Sequence, residues 1–255
     1  MTTQRQNGSL YTHIENRIAT IEFGHPASNS FPSELLERLT NELYTISKND
    51  KVSVIILKSE GEKAFCAGAS FDELVAVSNL EEGKKFFAGF ANVINAMRTC
   101  KQLIIGRIHG KAVGGGVGLA ATCDYVLATE SASIKLSEFT IGIGPFVIAP
   151  AVERKIGVAG LAELTLAATE WKNAYWAKEK GLYAKVFDSV KDLDAAVETL
   201  SEQLASYNAE ALFAMKKLLW KNTENWETLL IENAEISGKL VLSDFTKNAL
   251  SKFKK

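Results

Sequence analysis

Cysteine is scarce in this chain, with three in 255 residues. Cys66, Cys100 and Cys123 form no CxxC pair and are odd in number, which argues against a disulfide framework or a zinc ribbon and favours a reducing compartment. The three histidines, His13, His25 and His109, show no HxxxH or HExxH spacing, so no metal site is expected. Prolines number only four, and no Pro/Gly-rich linker divides the chain. Neither charge sign is in excess: 29 basic against 30 acidic residues leave a net charge of -1. There is thus no global field to hold nucleic acid or anionic lipid. A GxxxxGK[ST] phosphate loop and a GxSxG nucleophile elbow are both missing, which excludes a P-loop and leaves a nucleophile elbow unsupported. The uncharged run Ala112–Cys123 is too short to span a bilayer and stops at Asp124. Met1–Glu15 is polar, without a signal-peptide core. The expectation is a soluble, cytoplasmic protein without nucleic-acid or membrane partners.

What is present is an ordinary globular balance, 47% apolar and 23% charged. The length suits one large domain, or one domain with a small appendage. Leu10–Phe23 reads as a hairpin around Glu15-Asn16. Ser33 is a fair N-cap for a helix carrying Leu36, Leu39, Leu43 and Ile46 at helical spacing. VSVIIL at 52–57 is a buried strand, and 61–70 a loop. Phe86, Phe87, Phe90, Val93, Ile94 and Met97 form the stripe of a second long helix, most simply core packing. Further strands are expected at 103–108, 125–128, 134–136 and 185–187, with a helix at 119–123 and helices dominating after Pro150. Alternating strands and helices followed by helices define an α/β class, with a core over 1–190 and a helical region over 191–255.

Two glycine-bearing loops follow buried strands: KAFCAGASF at 63–71 and HGKAVGGGVG at 109–118. The carboxyl ends of strands are where α/β sheets place ligands. Small residues let a ligand approach the backbone. The second loop also opens a helix, whose free N–H groups point outward. Two such loops can each aim one N–H at a single oxygen, forming an oxyanion hole. The plainer alternative is a pair of tight turns. Gly116-Val117-Gly118-Leu119-Ala120-Ala121 also fits G-x-G-x-x-A, with Glu138 about 20 residues on, but its glycines begin several residues after the strand. A dinucleotide site is a weak match.

Four segments then occur in a familiar order: AFCAGASFDEL (64–74), IIGRIHGKAVGGGVGLAATCDYVLA (104–128), IKLSEFTIGIGP (134–145) and AKEKGLYAKVF (177–187). Over nearly its whole length the sequence resembles the crotonase (enoyl-CoA hydratase/isomerase) superfamily. That resemblance implies a spiral of ββα units with C-terminal helices, assembled as a homotrimer or homohexamer. It implies an acyl-CoA thioester substrate and no cofactor beyond the coenzyme A of that substrate. Two backbone N–H groups, carried over to Ala69 and Gly115, would hold a thioester enolate. Ala67, Gly68, Ser70, Phe71, Gly114, Gly118 and Phe146 fall at or beside the implied substrate positions.

The pattern departs from a typical hydratase at the acid/base residues. Of the two glutamates such a hydratase carries, the first falls on Gly118 and is absent, while the second falls on Glu138, where a short strand is expected to end. One carboxylate suffices to move a double bond from C3 to C2, whereas hydration shares its proton transfers naturally between two. Δ3-Δ2 enoyl-CoA isomerisation is therefore favoured mechanistically over hydration, branched substrates such as methylglutaconyl-CoA included. Binding of acyl-CoA without catalysis is the third reading. Phe146 follows Pro145 where hydratases tend to have glycine, which would reduce room for water. Glu73 or Glu81 are the acids that would have to approach if a second one is needed. His109 and Asp124 are expected to be structural, and Cys66 lacks a neighbour that would lower its pKa. Lys63 and the terminal SKFKK (251–255) are the lysines within reach of CoA phosphates, although solvated lysines are commoner.

Overall fold

The computed structural model describes residues 7–252. The last three residues of the SKFKK segment therefore lie outside the described residues.

The chain opens with the hairpin β1 (Ser9–Glu15) and β2 (Ile18–Gly24), paired antiparallel from Ser9↔Gly24 to Glu15↔Ile18. The two linking residues, Asn16 and Arg17, both have positive φ, 47° and 68°. That is the twist a two-residue hairpin loop requires. Helix α1 (Ser33–Ser47) follows and buries Leu35, Leu36, Leu39, Leu43 and Ile46. Its N-cap is Pro32 rather than Ser33. The Ser33 N–H and hydroxyl instead donate to the Glu73 carboxylate, at 2.9 Å and 2.5 Å to Oε2.

Three strand pairs then build the centre. They are β3 (Val54–Ser59) with β4 (Ala64–Cys66), β5 (Leu103–Ile108) with β6 (Lys111–Val113), and β7 (Tyr125–Thr129) with β8 (Ile134–Lys135). Odd-numbered members join a six-stranded sheet in the order β1-β2-β3-β5-β7-β9, where β9 is Lys185–Phe187; even-numbered members form a second, three-stranded sheet, β4-β6-β8. From β2 onward the large sheet is parallel, with Ile18↔Val54, Val54↔Leu103, Ile105↔Tyr125 and Leu127↔Lys185 in register. Helices α2 (Phe71–Ala76) and α3 (Leu80–Thr99) follow the first pair, α4 (Gly115–Thr122) the second, and a 3-10 turn (Glu138–Ile141) with α5 (Ala149–Leu166) the third. Each repeat thus steps from the large sheet to the small one and into helix.

Of the small sheet, β8 falls on the strand expected at 134–136, whereas β4 and β6 lie in segments that read as glycine-bearing loop from sequence. β4 and β6 are three residues each, too short for a periodic signal, and they exist because β6 pairs with β4 on one side and with β8 on the other. β5 is buried at every position, as a central parallel strand covered on both faces must be. The main core lies on one face, where α1 and α3 pack. On the other, α7 (Val190–Ala205) sets Leu193, Val197 and Ala205 against Val54, Ile105 and Leu127. Helices α6 (Ala174–Glu179), α8 (Ala209–Leu219), α9 (Trp226–Leu240) and α10 (Asp244–Ser251) complete the chain, with α9 lying along α3. Among the described residues no helix is long and apolar enough to cross a membrane.

Candidate active site

The ends of the small sheet point at one cavity of about 190 Å³. Its wall includes Ala67, Gly68, Ala69 and Phe71 from the first glycine loop and Gly114 and Gly115 from the second. Ser137 and Glu138 come from the turn after β8. The two loops meet closely: a Cβ on Gly68 would stand 3.0 Å from the Val113 carbonyl oxygen and 3.3 Å from the Gly115 nitrogen. Gly68 has φ +90° and Gly114 φ +52°, conformations that glycine adopts without strain.

Among Gly68–Ser70 and Gly114–Gly115, the hydrogen bonds of the described residues leave two backbone donors over. The Gly68 N–H donates to Cys66 Sγ, and the Ser70 N–H to the Phe31 carbonyl. Ala69, between them, donates to nothing among the described residues. Gly114 donates to the Lys135 carbonyl, while its own carbonyl accepts from Val117 and Gly118. Gly115, the first residue of α4, has no partner for its N–H among the described residues, as the first turn of a helix dictates. The Ala69 and Gly115 residues both border the cavity.

Glu138 opens the 3-10 turn rather than ending a strand. β8 stops at Lys135, and Gly142, at φ +81°, closes the turn. Glu138 Oε1 lies 2.8 Å from where a Gly114 Cβ would sit, so the carboxyl is held against the second glycine loop. Its Oε2 is buried without a hydrogen-bond partner among the described residues. Burial raises the carboxyl pKa from the usual 4.5 to about 7, against a smaller lowering by the backbone amides of Glu138 and Ser137. It is the only ionisable side chain among the described residues of the cavity wall. The rest of that wall is apolar apart from Ser137 and Ser237, with Phe86, Phe87 and Phe90 from α3 prominent.

Three residues nominated from sequence stand outside the wall. The Ser70 hydroxyl caps α2, accepting from the Glu73 N–H at 3.4 Å. A side chain at Gly118 would run into Ile148, which lines the cavity in its place. Phe146 is half-buried beside the cavity, its ring 2.6 Å from where a Gly144 Cβ would sit and its carbonyl bound by Asn233 at 2.9 Å. Neither further acid is in the wall: Glu73 holds the N-terminus of α1, and Glu81 is exposed at the start of α3. Lys63 is exposed. Burial pushes the Cys66 thiol up to about 12. His109 is buried, its ring nitrogens unpartnered among the described residues, with a pKa lowered to about 4 by burial and then by Arg107. The phenylalanine stripe of α3 is both core and wall, which its periodicity could not disclose. Ile148 and Ser237 carry no local sequence signal at all.

The family model described as enoyl-CoA hydratase/isomerase matches residues 13–254. The chain belongs to that family, within the crotonase superfamily, and is an enzyme of it. It is 28% identical to the peroxisomal Delta(3,5)-Delta(2,4)-dienoyl-CoA isomerase of Arabidopsis thaliana, over 88% of this chain and 84% of that protein. It is 29% identical to the 2,3-dehydroadipyl-CoA hydratase of Escherichia coli (strain K12), over 84% of this chain and 83% of that protein. The crystal structure of an enoyl-CoA hydratase from Bacillus anthracis superposes with a TM-score of 0.78 at 30% identity, covering 98% of this chain and 96% of that one. One from Bacillus halodurans superposes with a TM-score of 0.87 at 21% identity, over 95% and 99% of the two chains, a likeness of fold.

Proposed function

We propose that this enzyme moves the double bond of a 3-enoyl-CoA thioester to C2, with Glu138 as the single proton shuttle. The observation that carries this reading is the lone ionisable side chain in an otherwise uncharged wall. Ionised Glu138 takes a proton from C2. The electron pair moves onto the thioester oxygen, giving a dienolate held by the Ala69 and Gly115 N–H groups. Neutral Glu138 then returns the proton at C4 as the carbonyl re-forms, leaving a C2–C3 double bond. No water is consumed, and no cofactor is needed beyond the coenzyme A of the substrate. Preorganised donors are what make so weakly acidic a proton removable, each supplying on the order of 10²–10³ in rate.

Hydration of a 2-enoyl-CoA, branched substrates such as methylglutaconyl-CoA included, is the second reading. The hydratase names among the relatives favour it. A water-activating partner for Glu138 would then have to come from outside the wall, because Ile148 fills the space beside Gly118. Paired assays separate the two: a 3-enoyl-CoA in one, a trans-2-enoyl-CoA in water in the other, each repeated with Glu138→Ala. Conversion of the 3-enoyl substrate alone, lost in the variant, establishes the isomerase. Hydration of comparable efficiency overturns it. A cytoplasmic trimer or hexamer belongs to the same proposal, with the exposed Leu218 and Leu219 as apolar area for subunit contacts.

Two expectations follow from the geometry. Because the free enzyme must be ionised to act as base, kcat/KM should rise with pH and level off above about 7. A pH–rate profile flat from 5.5 to 8.5 would remove Glu138 from that role. Gly114→Ala should lower kcat about 10²-fold, since its Cβ would enter at 2.8 Å from Glu138 Oε1 and at a φ of +52°. A kcat within threefold of wild type would show that the carboxyl need not stay where it is.

A further inference from the structure

Ser237 is 1% exposed and lies on α9, far in sequence from both glycine loops. It enters the cavity wall because α9 and α3 approach closely: a Cβ on Gly83 would stand 2.9 Å from Gly238 Cα. Its hydroxyl is buried and has no hydrogen-bond partner among the described residues. The Thr165 hydroxyl on α5 is likewise buried without a partner among the described residues, but Thr165 is not in the cavity wall, and other buried helix hydroxyls are satisfied. Thr122 donates to the Gly118 carbonyl at 2.7 Å, Ser201 to the Val197 carbonyl at 2.7 Å, and the Thr246 hydroxyl accepts from Ser243 at 3.1 Å. A buried polar group without a partner is costly. One that faces an apolar ligand cavity is a place where a ligand oxygen is worth more than a methyl group.

We propose that Ser237 is a specificity-determining residue, and that its hydroxyl receives an oxygen carried on the acyl chain of the substrate. The favoured substrates are then oxygenated acyl-CoA thioesters rather than plain hydrocarbon ones. The remaining polar side chains of the wall, Ser137 and Glu138, sit together on the turn after β8. Ser237 comes from a different element, and the phenylalanines of α3 line the wall as well. This inference rests on the acyl-CoA reading of the cavity but not on which reaction follows.

The test is calorimetric titration of the full chain with hexanoyl-CoA and its 4-, 5- and 6-hydroxy counterparts, none of which can be isomerised. At least one hydroxylated ligand should bind wild type about tenfold more tightly than hexanoyl-CoA. In Ser237→Ala that preference should vanish, with plain hexanoyl-CoA bound no less tightly than by wild type. A purely structural serine would shift all four affinities together. Four equal affinities in wild type, or a preference that survives in Ser237→Ala, overturns the role of Ser237 while the acyl-CoA reading stands. Failure of all four to bind overturns both.

Discussion

Glu138→Gln should lower turnover of a 3-enoyl-CoA by about 10²–10⁴-fold, the usual worth of a positioned acid/base group, while changing affinity for a saturated acyl-CoA little. Glutamine keeps the shape and a carbonyl oxygen, but it can neither take the C2 proton nor deliver one to C4. The two N–H groups of Ala69 and Gly115 remain, so some rate above background should survive. Single-turnover kinetics with the variant measure the chemical step directly. A loss below tenfold would mean that another group moves the proton.

The same substitution should act on stability with the opposite sign. The folded-state pKa of about 7 lies above the ordinary carboxyl value of 4.5 because burial penalises the charge. The protonated carboxyl therefore favours the fold. Its contribution is full below the unfolded-state value and is lost as pH rises through 7. At pH 8 the wild type carries a penalty of at most on the order of 3 kcal/mol, which Glu138→Gln escapes. Urea unfolding at pH 5 and pH 8 should show the variant gaining far more on wild type at the higher pH. Equal stability at both would show that the carboxylate is better solvated than its buried Oε2 implies.

The second large effect concerns stability alone. Asp124 sits where α4 gives way to β7, and its carboxylate is 2.6 Å from Lys216 Nζ, the two side chains being 4% and 2% exposed. The carboxylate also accepts from the Trp220 indole at 2.7 Å and from the Ile104 N–H at 2.7 Å. Arg154 stacks 4.3 Å from the Trp220 ring. One acid thus ties the end of α8 to the edge of β5. Asp124→Ala strands a buried ammonium and two donors, and should cost about 3–5 kcal/mol. That would lower Tm by roughly 10 °C for a chain of this size. Removing the partner as well, in Asp124→Ala with Lys216→Met, should recover much of the loss, since a buried pair is often no better than apolar packing. A double variant as unstable as the single one would show that the Trp220 and Ile104 hydrogen bonds, not the ion pair, hold this corner.

Much of the fold is legible in the residues because burial imposes local periods. The stripe through Leu36, Leu39, Leu43 and Ile46 can face a core only as a helix, and that face is buried in α1. LIIGRI at β5 is buried throughout. Its register with β3 and β7 follows from parallel pairing that its β-branched residues favour. Of the small sheet only β8 is legible, at 134–136; β4 and β6 are not. Three-residue strands carry no period, and the glycines of the second loop read equally well as turns.

The residues also outlined a candidate site. Two small-residue loops beyond buried strands and a helix opening on glycines are local facts, the family resemblance they carry singled out Glu138, and the cavity gathers them. What only the tertiary structure decided is which groups remain available. Glu73 is drawn to the start of α1, 40 residues away. Asp124 is neutralised by a lysine 92 residues on. Ile148 takes the space beside Gly118. A free N–H, an unpartnered hydroxyl or a raised pKa is a statement about partners a group did not find. Partners are settled by contacts between distant segments, so no local pattern of residues encodes them.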